Sequence, residues 1–239
     1  MFIIANWFAG YIGLITKKIE QWSQLDNYKY KWNEDGKTLK SFIKLDPVEL
    51  LLKDGVKLIS GTLFYEYIND TKRIVSEDGK YKVVDKSGII DTHWTKFWFS
   101  EKSFIIIEKG NNGRRILEII SEALFEMSDS IKPVEFDIDR IARDYPSHWL
   151  GGFYDREGHI NTGTLYGEDI IVDEEMGDAY AHTKHKNQVG IITDYFDGVE
   201  TKIKVTRSGY VQIYGGFNEN PDIPFEFIRD EIIDYAITD

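Results

Sequence analysis

Two stretches of this chain recur at one displacement, which confines the fold to architectures able to hold a similar unit twice. Ser60-Gly61-Thr62-Leu63-Phe64 returns as Thr162-Gly163-Thr164-Leu165-Tyr166, and Gly88-Ile89-Ile90 returns as Gly190-Ile191-Ile192. After a small insertion in the second copy, Thr95-Lys96-Phe97-Trp98-Phe99 aligns with Thr201-Lys202-Ile203-Lys204-Val205. Phe104-Ile105-Ile106-Ile107 then aligns with Tyr210-Val211-Gln212-Ile213. Each copy ends in a pattern of helical period: Ile116, Leu117, Ile120, Ala123, Leu124 and Met127 in the first, Phe225, Ile228, Ile232 and Ala236 in the second.

Each copy also opens on a helix-start signal. Asp46-Pro47-Val48-Glu49 offers a capping carboxylate, a proline at the first helical position and a glutamate that can reach back. Asp137 does the same before Ile138, Ile141 and Ala142, and Pro146 stops that helix. The sequence thus predicts an α+β fold, a tandem duplication of a helix, antiparallel strand meander and helix. One unit covers 45–127 and the other 134–239, with a strand-rich N-terminal extension, 1–44, packed on the first.

The hairpin of the second unit fixes which residues share a face. A three-residue loop Arg207-Ser208-Gly209, with Gly209 at positive φ, sets Val205 opposite Val211 and Ile203 opposite Ile213 as core. The outward face then carries Lys202, Lys204, Thr206, Tyr210, Gln212 and Tyr214. In the first unit Phe97 and Phe99 face one side, and Lys96 and Trp98 face the other, across a loop starting at Ser100. Four successive apolar residues, Phe104 to Ile107, suggest a strand covered on both sides.

Composition limits the function classes. No cysteine is present, so disulfides and thiolate chemistry are excluded, in keeping with a reducing, cytoplasmic location. Forty-one acidic against 29 basic residues give a net charge of −12, so nucleic acid could be held only by a locally basic face. The apolar stretch Met1 to Ile15 lacks the flanks of a signal peptide and is shorter than the about 20 residues that span a bilayer. It reads as a buried strand, and no membrane contact is expected.

Helix, five strands (near 149–154, 159–166, 188–196, 201–206 and 210–215) and helix, in tandem, resembles the architecture of the TATA-box-binding protein family. That family grips the DNA minor groove with a curved sheet. By position the resemblance implies contacts from Lys202, Lys204, Tyr210, Gln212 and Tyr214. The acidic character and the excursion from Glu168 to Asp178 depart from the family pattern.

Signals for chemistry are sparse. Asp173, Glu174, Glu175, Asp178, His182 and His185 could supply ligands to zinc or manganese if a helix brings the two histidines together, although no H-E-x-x-H spacing occurs. His93-Trp94 and His148-Trp149 read as packed, hydrogen-bonded histidines in preference to an acid–base pair. Lys109-Gly110-Asn111-Asn112-Gly113-Arg114-Arg115 could hold an anion ahead of a helix but lacks the pattern of a nucleotide loop and reads more simply as a turn. No cofactor is expected. The leading expectation is a non-catalytic binding protein whose sheet meets a nucleic acid or a protein partner through Lys96, Trp98, Lys202, Lys204, Tyr210, Gln212 and Tyr214. The alternatives are a metal-dependent hydrolase built on Asp173, Asp178, His182 and His185, and an acidic protein-interaction or oligomerising subunit.

Overall fold

A computed structural model of the chain describes residues 7–100, 104–108, 113–156, 160–196, 198–215 and 222–237, and of 70–74 and 84–87 the backbone alone. The first residues of the apolar N-terminal stretch, the loop after Ser100, the turn 109–112 and His159 lie outside the described residues.

Among the described residues thirteen strands form one sheet: β1 (Phe8–Ile15), β2 (Lys29–Glu34), β3 (Lys37–Leu45), β4 (Leu50–Leu51), β5 (Lys57–Glu77), β6 (Lys80–Ser100), β7 (Phe104–Glu108), β8 (Ile131–Pro133), β9 (His148–Phe153), β10 (Gly163–Tyr166), β11 (Lys186–Phe196), β12 (Val199–Thr206) and β13 (Tyr210–Tyr214). The helices are α1 (Gly113–Phe125), α2 (Ile138–Asp144), α3 (Met176–Ala181) and α4 (Ile223–Phe227). The last continues through a π turn and a 3-10 turn to Tyr235. Every strand pairing among the described residues is antiparallel, so the fold is mixed α+β with a predominantly antiparallel sheet.

The strand order is β10-β9-β11-β12-β13-β1-β7-β6-β5-β3-β2. The two halves therefore meet at β1, which pairs with β7 on one edge and with β13, then β8, on the other; the second half is not the expected meander, because β11 returns beside β9 and leaves β10 at the edge. The apolar N-terminal segment is the centre of the sheet and belongs equally to both halves.

Directly paired residues share a face, and the registers Phe97–Ile107, Ile107–Tyr11 and Tyr11–Tyr210 carry one face from the first half into the second. On that side α1 lays Ile116, Leu117, Ile120 and Leu124 over Phe97, Phe99, Ile105 and Ile107. The opposite side passes through Trp98–Ile106, Ile106–Ile12 and Gly10–Val211. There α2 and α4 lay Ile138, Ile141, Phe225 and Phe227 over Ile12, Val205, Val211 and Ile213. The two halves are thus roofed on opposite faces. Phe104 to Ile107 lies under both roofs and is buried throughout, as its unbroken apolar run predicts.

Most second-half elements match their sequence signals. Asp137 accepts the backbone N–H of Arg140 at 3.0 Å, Val205 and Ile203 face Val211 and Ile213, and Gly209 sits at φ +88. The first opening helix does not form. Asp46 instead accepts the Ser60 hydroxyl at 2.7 Å, Glu49 pairs with Lys57 at 2.7 Å, and β4 pairs with the start of β5. The cause is the turn at Lys53-Asp54-Gly55, with Gly55 at φ +81, which halts any helix within two turns and folds Leu50 back onto Leu58.

The tandem duplication expected from the sequence is not confirmed. The order β6, β7, α1 parallels β12, β13, α4, but Thr62 stands on β5 and Thr164 on the edge strand β10. Ile90 shares β6 with Lys96, whereas Ile192 is one strand before Lys202. Upstream of the closing hairpin the matched segments occupy unlike places.

Beyond Tyr67 and Asp91 the β5–β6 hairpin leaves its neighbours and runs on as a two-stranded arm. Its tip, Asp78-Gly79 at φ 51 and 72, is the two-residue turn whose twist suits a hairpin.

Because Ile12 is fully buried at the strand common to both halves, Ile12→Ala should destabilise the whole chain by about 2–5 kcal/mol. Urea unfolding followed by circular dichroism should show one transition at a lower midpoint.

Candidate nucleic-acid interface

Opposite roofs leave each half with one bare face, and the two bare faces point in opposite directions. Lys202, Lys204, Tyr210, Gln212 and Tyr214 lie on the α1 side of the second half, with Lys202 paired to Tyr214 and Lys204 to Gln212. Lys96 and Trp98 lie on the α4 side of the first half, so the seven residues expected to share a platform are split between two surfaces. Alternation along β6 and β12 was legible, whereas the side each half buries is decided by where its helices return.

Trp98 is also unavailable as a free stacking surface. It is half-buried, its ring 5.0 Å from Phe225 and 6.2 Å from Phe8. It forms the edge of the roof made by α4.

On the second half, Trp149 lies across Gly190, where a Cβ would come within 2.7 Å of the indole. Its Nε1 donates to the Ile203 carbonyl at 3.3 Å, and its ring meets Tyr214 at 5.4 Å and Tyr166 at 6.4 Å. Lys202 Nζ sits 5.8 Å above the same ring, so this cation already has an aromatic partner. Burial, then the neighbouring phenols, raise the pKa of Tyr210 and Tyr214, which stay neutral donors at physiological pH. This face is aromatic and weakly basic.

The bare face of the first half is different. In register across four strands stand Lys29, Phe42, Phe64 and Trp94. Phe42 and Phe64 are stacked at 6.2 Å with 29° between planes, and Trp94 is 55% exposed. One pleat to one side run Lys31, Lys40, Glu66 and Thr92, and one pleat to the other run Lys44, Thr62 and Lys96. All five lysines are exposed. None has a carboxylate within ion-pair distance among the described residues. The acidic residues of this face, among the described side chains, include Glu66, whose carboxylate accepts the Lys40 backbone N–H at 2.9 Å, Glu108 and, at its margin, Asp46, which accepts the Ser60 hydroxyl. A shallow concavity of about 300 Å³ opens between Lys29, Lys31, Lys40, Phe42 and Phe64.

Of this surface the sequence reading singled out Lys96 alone. The missed signal was the alternation Lys29-x-Lys31, Lys40-x-Phe42-x-Lys44 and Trp94-x-Lys96, which places lysine and aromatic side chains on one side of three strands.

The acidic excursion is a separate cleft of about 680 Å³ that includes Glu174, Asp178, His182 and His185. Asp173 accepts the backbone N–H groups of Glu175 and Met176 at 3.1 and 2.7 Å, fastening the start of α3. His182 Nδ1 lies 2.9 Å from the Asp178 carbonyl oxygen. His185, beyond the end of α3, stacks on Tyr154 at 5.4 Å. Among the described residues no three His, Asp or Glu side chains converge as a metal-holding group.

His93 and His148 are separated by five intervening strands. His93 meets Tyr65 and Tyr67 edge-on at 5.7 and 6.4 Å. His148 is fully buried, 6.5 Å from the ring of Tyr180. Its packing fulfils the sequence expectation.

No known protein-family model matches this chain, and no curated protein is significantly similar to it. No helix among the described residues is long and apolar enough to cross a membrane.

Burial holds the His148 imidazole below its ordinary pKa. The unfolded chain therefore binds the proton first, and stability should fall as pH drops from about 6.5 toward the depressed folded value. Urea midpoints at pH 7.5 and 5.5 should diverge in the wild type and diverge less in His148→Leu.

Proposed function

We propose that this chain is a non-catalytic binding protein that takes a polyanionic macromolecule on the bare face of its first half. The observation that carries this reading is the set of five exposed lysines, Lys29, Lys31, Lys40, Lys44 and Lys96, on one face without carboxylate partners within ion-pair distance among the described residues. In a chain of net charge −12, such a cluster is a local reversal of sign. Unpaired ammonium groups on a rigid sheet gain from condensed phosphates or sulfates without first breaking an internal ion pair.

The second bare face has two lysines, one of them held over Trp149, and a tyrosine-rich surround. Its chemistry suits neutral hydrogen bonding and stacking better than charge neutralisation. In this reading the duplication reaches no further than the shared hairpin-and-helix ending. The two faces are separate surfaces with separate roles, and cytoplasmic nucleic acid is a polyanion that the first could meet.

Anisotropy titrations with labelled heparin, duplex DNA and single-stranded DNA test the reading. Binding at low salt should weaken with a log–log salt slope of roughly −3.5 to −4.5, as expected for about five neutralised anionic groups. Lys31→Glu/Lys40→Glu/Lys44→Glu should abolish it, and Lys202→Glu/Lys204→Glu should leave it nearly intact. Absence of binding to all three polyanions at low salt defeats the proposal.

A further inference from the structure

We infer that the polyanion is single-stranded nucleic acid, with bases stacked on the row Phe42, Phe64 and Trp94 and phosphates running past the lysines beside that row. This rests on the polyanion reading above and specifies it.

The ground is the layout of the bare face. Phe42, Phe64 and Trp94 stand directly opposite one another on β3, β5 and β6. Strands lie about 4.8 Å apart, so the row offers about three consecutive aromatic platforms at a spacing that stacked or splayed bases can follow. Water gains nothing from such rings: Phe64 is 37% and Trp94 55% exposed, on a face whose other half is roofed by α4. An exposed row of this kind marks a contact surface.

The lysines lie on both sides of the row. Lys31 and Lys40 are one pleat away in one direction, and Lys44 and Lys96 one pleat away in the other, each about 7 Å along the strand. A strand crossing the sheet over the rings thus meets an ammonium on either flank, while Lys29 ends the row itself. Thr62 and Thr92 add neutral donors in the flanking rows.

A duplex would use only part of this surface. Its bases are stacked on one another and turned inward, so its phosphates could reach the lysines but no base plane could reach the rings. A sulfated polysaccharide likewise has charge and no aromatic plane. A strand with unpaired bases satisfies both the rings and the ammonium groups. Glu66, anchored by the Lys40 backbone N–H, Glu108 and Asp46, anchored by the Ser60 hydroxyl, repel phosphate at three points and confine the backbone to the lysine-lined paths between them.

The test compares four labelled probes of equal length at one low salt concentration: an oligothymidylate, an abasic strand with the same phosphates, a duplex, and heparin. The oligothymidylate should bind at least about tenfold more tightly than the other three. Phe64→Ala and Trp94→Ala should each weaken oligothymidylate binding by roughly 5- to 150-fold, leaving heparin affinity unchanged. Trp94→Phe, which keeps an aromatic plane, should retain most of the affinity. Trp94→Leu, which keeps only bulk, should behave like the alanine variant, and unchanged heparin binding reports that each variant is folded. Equal affinity for the abasic strand, or indifference to Trp94→Ala, overturns the single-strand inference and leaves the polyanion reading standing. Failure of all four probes removes both.

Discussion

The whole architecture depends on the double burial of the strands at the middle of the sheet. Along β7, Phe104 and Ile106 point under the roof of α4 while Ile105 and Ile107 point under α1. Full burial of each such side chain contributes about 1.5–3 kcal/mol, so four in succession make β7 a spine that both halves share. Ile12 on β1 adds to the same spine. Because a strand can send its side chains to only two sides, the two helical roofs can divide the sheet between them without competing. Each outer half is then left with one face uncovered, and the two uncovered faces look away from each other.

That division explains how an acidic chain can carry a basic surface. The carboxylates that hold lysines and arginines in ion pairs cluster around α2, α4 and the turns, as at Lys186–Asp139, Arg207–Glu135 and Arg229–Asp54. The bare face of the first half is made of strands alone, and its alternating lysines have no helix opposite to supply partners. Charge segregation here follows from which surface is roofed. The aromatic rings on the same strands remain exposed for the same reason.

Much of the second half was legible because its signals are local. Asp137 before Ile138, the Arg207-Ser208-Gly209 loop, and the alternation of Ile203, Val205, Val211 and Ile213 each act over a few residues, and each holds. The helix signal at Asp46 and Pro47 failed because a turn seven residues later and a strand partner at Leu58 offered a better arrangement, and pairing of that kind is invisible to a local pattern. The faces of the strands were read correctly, but the side on which α1 and α4 return is a tertiary matter. Hence Lys96 and Lys202 were expected on one surface and stand on two, while Phe42, Phe64 and Trp94 were passed over although their alternation with lysine was in plain view.

The placement of β1 also governs the order in which the molecule can assemble. Phe8 is paired with Ile213, nearly the full length of the chain away, so although β8 covers the far end of that edge at Gly13 to Ile15, the stretch from Phe8 to Tyr11 has no neighbour there until almost everything has been synthesised. Its other edge can zip to β7 much earlier, giving a nascent half-sheet with an open, apolar border. Closing a loop of that length comes late and slowly, and in the interval the exposed border is the natural point for chaperone capture or for mispairing with another copy.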